Sequence, residues 1–210
     1  MRKQTLQEEK YNYWSHGFGF VIALLGFLLL VIATVATSMT AIFAVCVYGI
    51  SLCTLYFCST KYHHTQEPVK KLFYRKLDHI SIYVLIAGTY TPYTLIFLSH
   101  SKGVLLFSIV WSIAIVGTIL KLFFTGKFEV ISLLLYLVMG WLIVFDFTAL
   151  QEVVSTRAIS LLVAGGGFYT AGIFFYVWNS LKYNHVLWHF FVLAGSICHF
   201  FSQLLQDQLR

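Results

Sequence analysis

Seven long stretches of mostly apolar residues constrain the fold of this chain more than any other feature. A helix needs about 20 apolar residues to cross the hydrocarbon core of a bilayer. The segments that reach or approach this length are 14–37, 41–62, 78–98, 103–125, 129–149, 158–179 and 185–206. Only 10% of the 210 residues are charged, against roughly 25% in an ordinary soluble domain. The sequence therefore predicts an all-α protein of the lipid bilayer, a seven-helix transmembrane bundle forming one domain over residues 1–210.

Two local features refine this prediction. Residues 17–37 are longer than the apolar core of a signal peptide, about 7 to 15 residues, and acidic residues precede them. We therefore expect the first stretch to be the first transmembrane helix. Pro92 falls past the middle of the third stretch and is expected to kink that helix, because proline removes a backbone hydrogen bond.

The basic residues are distributed unevenly between the two sides of the predicted bundle. Eleven of the 14 Lys and Arg lie in the N-terminal tail and the second, fourth and sixth loops, and three lie on the opposite side. Basic residues accumulate on the cytoplasmic side of membranes, so we expect a multi-pass plasma-membrane protein with its N-terminus inside and its C-terminus outside. The net charge of +6 fits this signal and contact with anionic headgroups, and no nucleic-acid partner is expected.

Five ionisable side chains are predicted at the cytoplasmic ends of four helices: His16, His63, Asp78, His185 and His189. Ionisable groups within membrane spans are costly and suggest function by default. Chance would have scattered them over both faces. Their common depth therefore indicates one functional layer.

The spacing within this layer is typical of a metal site. His185 and His189 lie one helical turn apart, as do the two zinc-binding histidines of a zincin helix, and His63 is the natural third ligand. A catalytic zinc ion takes three protein ligands and keeps a position for water. Asp78 could contact the metal or orient that water, and Ser59, one turn before His63, could hydrogen-bond a ligand or a developing oxyanion. The sequence predicts Zn²⁺ as cofactor.

Each of these residues alone would also fit a plain interfacial anchor or a contact between helices, and their combination favours the metal site. His64 points about 100° away from the preceding residue, and His79 and His100 are interpreted as interfacial. Asp146 is expected to make a polar contact within the bundle. His199 lies too far along its helix to share the metal, so we expect a buried hydrogen-bonding residue, with the lining of a ligand cavity as the alternative.

Several segments resemble, in the same order, those of the progestin and adipoQ receptor family, whose bacterial branch is the hemolysin III family. The opening "EEKYNYWSHGFG" resembles the pattern E-x(2-3)-N-x-x-[ST]-H of that family, with Ser15 where threonine is common. The other matching segments are "STKYHH", "KLDHISIYVLIAGTYTPY", "GGGFYTAGIFFY" and "NHVLWHFFVLAGSICHF". The resemblance covers the chain from Glu8 to about Phe200. It implies a seven-helix fold with the N-terminus inside.

The resemblance also implies a zinc ion held by the histidines of the SxxxH and HxxxH motifs. By position these are His63, His185 and His189, with Asp78 on the zinc-bound water and Ser59 beside them.

The resemblance leaves the activity open. Related ceramidases suggest a zinc-dependent hydrolase of amide or ester bonds in lipids, in which Asp78 accepts a proton from the water, the metal polarises the carbonyl and Ser59 binds the oxyanion. The alternatives are a pore-forming, cytolytic protein, which needs a continuous polar stripe, and a receptor-like protein of membrane homeostasis with a structural zinc closed by four ligands. The substrate and the oligomeric state stay open.

Overall fold

The computed structural model describes residues 4–206, which form helices and no strands. The helices are α1 (Leu6–Thr34), α2 (Met39–His64), α3 (Pro68–Pro92), α4 (Gly103–Phe124), α5 (Glu129–Trp141), α6 (Phe147–Val153), α7 (Thr156–Val177) and α8 (Asn184–Leu204). A π-helical turn, Tyr93–Phe97, extends α3, and a 3₁₀ turn, Leu142–Asp146, joins α5 to α6. Seven helical segments are long and apolar enough to cross a membrane, which confirms the predicted all-α, seven-span fold.

The orientation of this bundle in the membrane stays a prediction. Three of the basic residues on which this prediction rests lie outside the described residues: Arg2, Lys3 and Arg210.

Four helices begin after a side chain that accepts hydrogen bonds from the first turn. Thr5 and Glu8 form a capping box at the start of α1, Ser38 and Ser155 cap α2 and α7, and Glu67 caps α3. These side chains satisfy backbone N–H groups that a helix leaves unpaired at its start. Loops of a few residues therefore suffice between long apolar helices.

The outer surface of the bundle is apolar along most of the spans. Large side chains such as Ile32 and Phe123 are 71% and 75% exposed. A soluble protein rarely exposes continuous apolar patches of this kind, whereas lipid tails are a good solvent for them. The bundle therefore has a lipid bilayer as its surroundings.

Three helices form the inside of the bundle. In the central windows of α2, α3 and α8, 56%, 67% and 50% of the residues are buried, against 22% to 28% in the other spans. α2 packs against α1 and α3, and α8 packs against α7 and α1. Polar residues of α2, α3 and α8 are thus shielded from lipid, as membrane proteins require.

Pro92 is followed by the π-helical turn Tyr93–Phe97, an irregularity common where the regular hydrogen-bond ladder is interrupted. Hydroxyl groups nearby take over part of the hydrogen bonding: Thr91 donates to the carbonyl of Ala87 at 2.9 Å and Thr94 to that of Tyr90 at 2.9 Å. Side-chain hydroxyls of this kind make irregular helix tolerable within a membrane.

The fifth span is broken where the sequence predicted one continuous helix over 129–149. The Tyr90 hydroxyl of α3 donates to the carbonyl of Gly140 at 3.0 Å and accepts from the N–H of Ile143 at 2.8 Å. Asp146 accepts from the Ser101 hydroxyl at 2.9 Å and from the N–H of Lys102 at 2.8 Å, the polar bundle contact expected of it. The break is therefore tolerated within a membrane, because a side chain of another helix hydrogen-bonds the backbone groups at the break.

Candidate metal centre

Three buried histidines meet at one end of the bundle. His63, in the last turn of α2, and His185 and His189, in the first turns of α8, each bring one ring nitrogen to within 4.8 Å of the others. Their ring centroids are 4.8 to 5.2 Å apart. Zinc binds imidazole nitrogens at about 2.0 to 2.1 Å, so small rotations of these rings bring all three nitrogens to one ion. The HxxxH and SxxxH histidines could therefore hold one metal ion.

Helix α1 provides a hydrogen-bond partner for the Nδ1 nitrogen of two of these rings. His63 Nδ1 lies 2.7 Å from Glu9 Oε2, and His189 Nδ1 lies 3.0 Å from Ser15 Oγ. The Ser15 hydroxyl donates to the carbonyl of Asn12 at 3.0 Å, so its oxygen is left to accept from the His189 N–H. Metal-binding histidines usually donate their second N–H to such a partner, which turns the other nitrogen toward the metal.

One buried nitrogen supports this arrangement directly. His63 Nε2 has no hydrogen-bond partner among the described residues, although a buried polar atom without a partner is costly. A metal ion would satisfy it. The residues present therefore fit a bound metal.

The start of α8 is also anchored to α1. Tyr183, with left-handed backbone (φ 61°) just before the helix, donates its N–H to Glu8 Oε1 at 2.9 Å. Because Glu8 and Glu9 are neighbours, the same turn of α1 holds the start of α8 and the ring of His63. This link fixes the HxxxH pair relative to the third histidine.

Asp78 and Ser59 lie beside the three histidines. Both line a small cavity of about 30 Å³ together with His185 and His189. Among the described residues, the group of atoms that could share one metal ion contains the three histidines and not Asp78. The Asp78 carboxylate thus lies beside the three histidines without belonging to the group that could share one ion.

His16 belongs to the same layer. Its ring stacks on that of His189, with centroids 3.5 Å apart and planes at 13°, and meets the Tyr56 ring edge-on at 5.0 Å. Neither ring nitrogen has a hydrogen-bond partner within the described range. The five ionisable residues expected in one layer therefore surround one cavity or the rings that line it.

Comparison with known proteins gives the family. Residues 4–200 match the family model described as "Haemolysin-III related". The chain belongs to the haemolysin III family. Among its relatives, "Hemolysin-3" of Bacillus cereus is 41% identical over 96% of this chain and 92% of the relative. The "Hemolysin-3 homolog" of Bacillus subtilis (strain 168) is 39% identical over 95% and 94%.

A more distant relative is the "Monocyte to macrophage differentiation factor" of Homo sapiens, 27% identical over 95% of this chain and 84% of the relative. No solved structure matches the chain. The resemblance noted in the sequence is thereby confirmed, and it spans nearly the whole length.

Glu9 is the contact of this haemolysin III centre that the sequence analysis missed. It lies 54 positions from His63, so no spacing rule connects the two residues. A signal was present all the same, since Glu9 and His16 stand two helical turns apart on one face of α1. An acidic residue aligned in this way with a buried histidine points to the same layer.

His79, predicted to be interfacial, is buried within the bundle among charged side chains. It is 6% exposed, and its Nδ1 lies 3.8 Å from Glu129 Oε1. Lys121, 1% exposed, pairs with the same carboxylate at 2.9 Å, and Arg75 approaches it at 3.7 Å. Four charged or ionisable groups of α3, α4 and α5 thus form an ion cluster next to the haemolysin III metal centre.

His199 lies apart from this centre, as expected from its distance along α8. Its ring stacks on Tyr169, with centroids 5.4 Å apart and planes at 15°, and its Nδ1 has no hydrogen-bond partner among the described residues. The ring lines two adjoining cavities. Of the two roles expected for His199, the structure therefore shows the lining of a cavity.

Proposed function

We propose that this haemolysin III protein is a zinc-dependent hydrolase that cleaves an amide or ester bond of a membrane lipid near the cytoplasmic face of the plasma membrane. One observation carries the proposal. Three buried histidines lie close enough together to hold one metal ion, Glu9 and Ser15 hydrogen-bond two of them, and His185 and His189 line a small cavity together with Asp78.

The donor set suits zinc as a catalytic ion. His63, His185 and His189 provide three imidazole ligands, which leaves a fourth position for water or substrate. A bound zinc ion would activate a water molecule and polarise the scissile carbonyl. Asp78, beside that position, accepts the proton of the attacking water and returns it to the leaving group.

Ser59 supports Asp78 in this scheme. Both residues line the cavity beside the histidines, and a hydrogen bond from the Ser59 hydroxyl would keep the Asp78 carboxylate turned toward that cavity. A serine has a single O–H to donate. It can therefore stabilise a developing oxyanion only by exchanging this bond, and before the reaction it acts as a positioning residue.

The surrounding cavities favour an amphiphilic substrate. The small cavity beside the histidines shares Leu55, Ile82, Trp188 and Val192 with an apolar cavity of about 100 Å³. The larger cavity extends between α3, α5, α7 and α8. A lipid could thus place its scissile bond at the histidines and its acyl chain between the helices, a location that excludes competing soluble substrates.

A cytolytic pore is the second candidate, because the Bacillus cereus relative carries the name "Hemolysin-3". One structural observation also favours it. Polar residues continue along the inward face of α8 beyond the histidines: Ser196, His199, Ser202 and Gln203 are all buried. Leu55 and Val192 lie between them and the histidines, so this polar stripe is interrupted, and the hydrolase remains the better fit.

Metal content of the purified protein tests the site. We expect one zinc ion per chain, lost in His185→Ala and His189→Ala, because two ligands cannot hold the ion tightly. His64→Ala is the matched control: His64 is exposed and next in sequence to His63, and its loss should leave the zinc in place. Zinc absent from the native protein, or unchanged in both α8 variants, would refute the metal site.

Lipid hydrolysis and membrane leakage separate the activities. Fatty-acid release from ceramide-like lipids is expected for the native protein, and Asp78→Asn should keep its zinc while losing about 10²- to 10⁴-fold in rate, the usual contribution of a general base. Zinc without fatty-acid release, together with dye leakage from liposomes, would favour the pore. Loss of zinc in Asp78→Asn would instead indicate a structural site with Asp78 as fourth ligand.

A further inference from the structure

His199 brings to the apolar cavity a buried nitrogen, Nδ1, that has no hydrogen-bond partner among the described residues. The cavity is lined mainly by aliphatic and aromatic residues of α3, α5, α7 and α8. His199 is 7% exposed, and its ring stacks on that of Tyr169. An imidazole keeps a donor and an acceptor in any neutral form, and both are costly to leave unpaired away from water.

The hydroxyl groups that line the cavity already have hydrogen-bond partners within the protein. The Thr89 and Thr170 hydroxyls donate to backbone carbonyls one turn earlier, each at 2.8 Å. The Tyr90 hydroxyl bridges the break in the fifth span, and that of Tyr169 pairs with the Ser196 hydroxyl at 2.9 Å. A polar group entering the cavity would therefore find its free partner at His199.

The position of His199 suits a molecule that extends from the metal centre. It follows His189 by ten residues on one helix, a distance of about 15 Å along the axis. The two cavities adjoin, since Leu55, Trp188 and Val192 line both. An acyl chain with its reactive group at the histidines would thus pass these side chains and bring its middle to His199.

We propose that His199 binds a hydroxyl group in the middle of the acyl chain, so that the preferred ligand is a lipid with a mid-chain hydroxylated acyl group. The acyl nature of the ligand rests on the proposed hydrolase function, while the unpaired imidazole accounts for the hydroxyl. A hydroxyl both donates and accepts, so it pairs with either neutral form of the ring. None of the lining residues is a lysine, arginine, aspartate or glutamate, which favours a neutral group over a charged one.

Competitive binding tests this proposal without any hydrolysis. Protein in lipid nanodiscs is loaded with a fluorescent fatty acid, which is displaced by octadecanoic acid or by its mid-chain hydroxylated analogue. The native protein should bind the hydroxylated chain about tenfold more tightly, the effect of one buried hydrogen bond. His199→Leu should bind both chains equally, whereas His199→Asn, whose amide nitrogen can replace Nδ1, should keep part of the preference.

Substitutions of two glycines test whether the chains bind in the cavity, one glycine lying in its lining and the other outside it. A side chain at Gly140 would meet nothing within 4 Å, and Gly140 lines the cavity. Gly167 of α7 has the same open surroundings and does not line it. Gly140→Leu should weaken the binding of both chains by filling the cavity, and Gly167→Leu should leave binding unchanged.

The same titration in His185→Ala separates this proposal from the hydrolase. The preference for the hydroxylated chain should persist there, because His199 does not depend on the metal. If the preference for the hydroxylated chain persists and the protein proves to have no hydrolase activity, the result would still support His199 as the binding site of the hydroxyl group. The proposal would be overturned if the native protein bound both chains equally or bound neither. It would also be overturned if His199→Leu kept the full preference for the hydroxylated chain. A buried water would then be the partner of His199.

Discussion

At the level of single residues, Glu9 is the hydrogen-bond partner of His63 in the candidate metal centre. The carboxylate accepts from His63 Nδ1 at 2.7 Å and is itself held by Lys71 at 3.0 Å. This contact fixes the orientation of the His63 ring. The metal centre therefore extends to a charged pair outside the three histidines.

We predict that Glu9→Gln weakens metal binding without abolishing it. The amide keeps a hydrogen-bond acceptor and loses the negative charge, so the affinity should fall about 10- to 100-fold, as for other partners of metal-binding histidines. Competition with a chelator measures this affinity. Glu152→Gln, at an exposed position of α6, is the control with the same change of charge. An affinity equal to that of the native protein would show that Glu9 does not orient the ligand.

The histidines of the centre could be predicted from the sequence, whereas the pairing of these histidines with Glu9 and Ser15 could not. HxxxH and SxxxH are spacings within single helices, where 3.6 residues per turn decide which side chains share a face. Ser15 and His189, in contrast, lie 174 positions apart. Their contact depends on how α1 packs against α8, which periodicity does not determine.

At the level of secondary structure elements, too, some features could be predicted from the sequence and others could not. The seven spans follow from apolar length alone, because a bilayer accepts few other structures. The break in the fifth span does not, since it depends on the Tyr90 hydroxyl of α3, which bonds Gly140 and Ile143. Local sequence predicts where helices form, whereas a partner on another helix determines where one is interrupted.

Tyr90→Phe should therefore destabilise the fold. It leaves the carbonyl of Gly140 and the N–H of Ile143 without their partner inside the membrane, and each such loss costs about 1 to 3 kcal/mol. We expect a lower midpoint of thermal unfolding in detergent. Tyr74→Phe is the control, because Tyr74 is only half-buried. Equal midpoints for both variants and the native protein would show that the break does not need this hydroxyl.

For the whole molecule, the distribution of polar groups over depth links architecture to function. The inner helices α2, α3 and α8 place the histidines and Asp78 at one end of the bundle, and the apolar cavity lies between that end and the other. A reacting group near the headgroups and a chain-binding space deeper in the membrane match the shape of a lipid. Whether this end faces the cytoplasm depends on the orientation predicted from the basic residues.

Cysteine labelling tests this orientation. Ala36, between α1 and α2, and Gln66, between α2 and α3, are exposed at opposite ends of α2. The four native cysteines to be replaced by alanine are Cys46, Cys53, Cys58 and Cys198. In that background, a membrane-impermeant maleimide should label Ala36→Cys on intact cells and Gln66→Cys only after permeabilisation, because eleven of the 14 basic residues lie on the side of Gln66 and such residues stay inside. The reverse labelling would place the metal centre at the outer face, where the substrate would have to come from the outer leaflet.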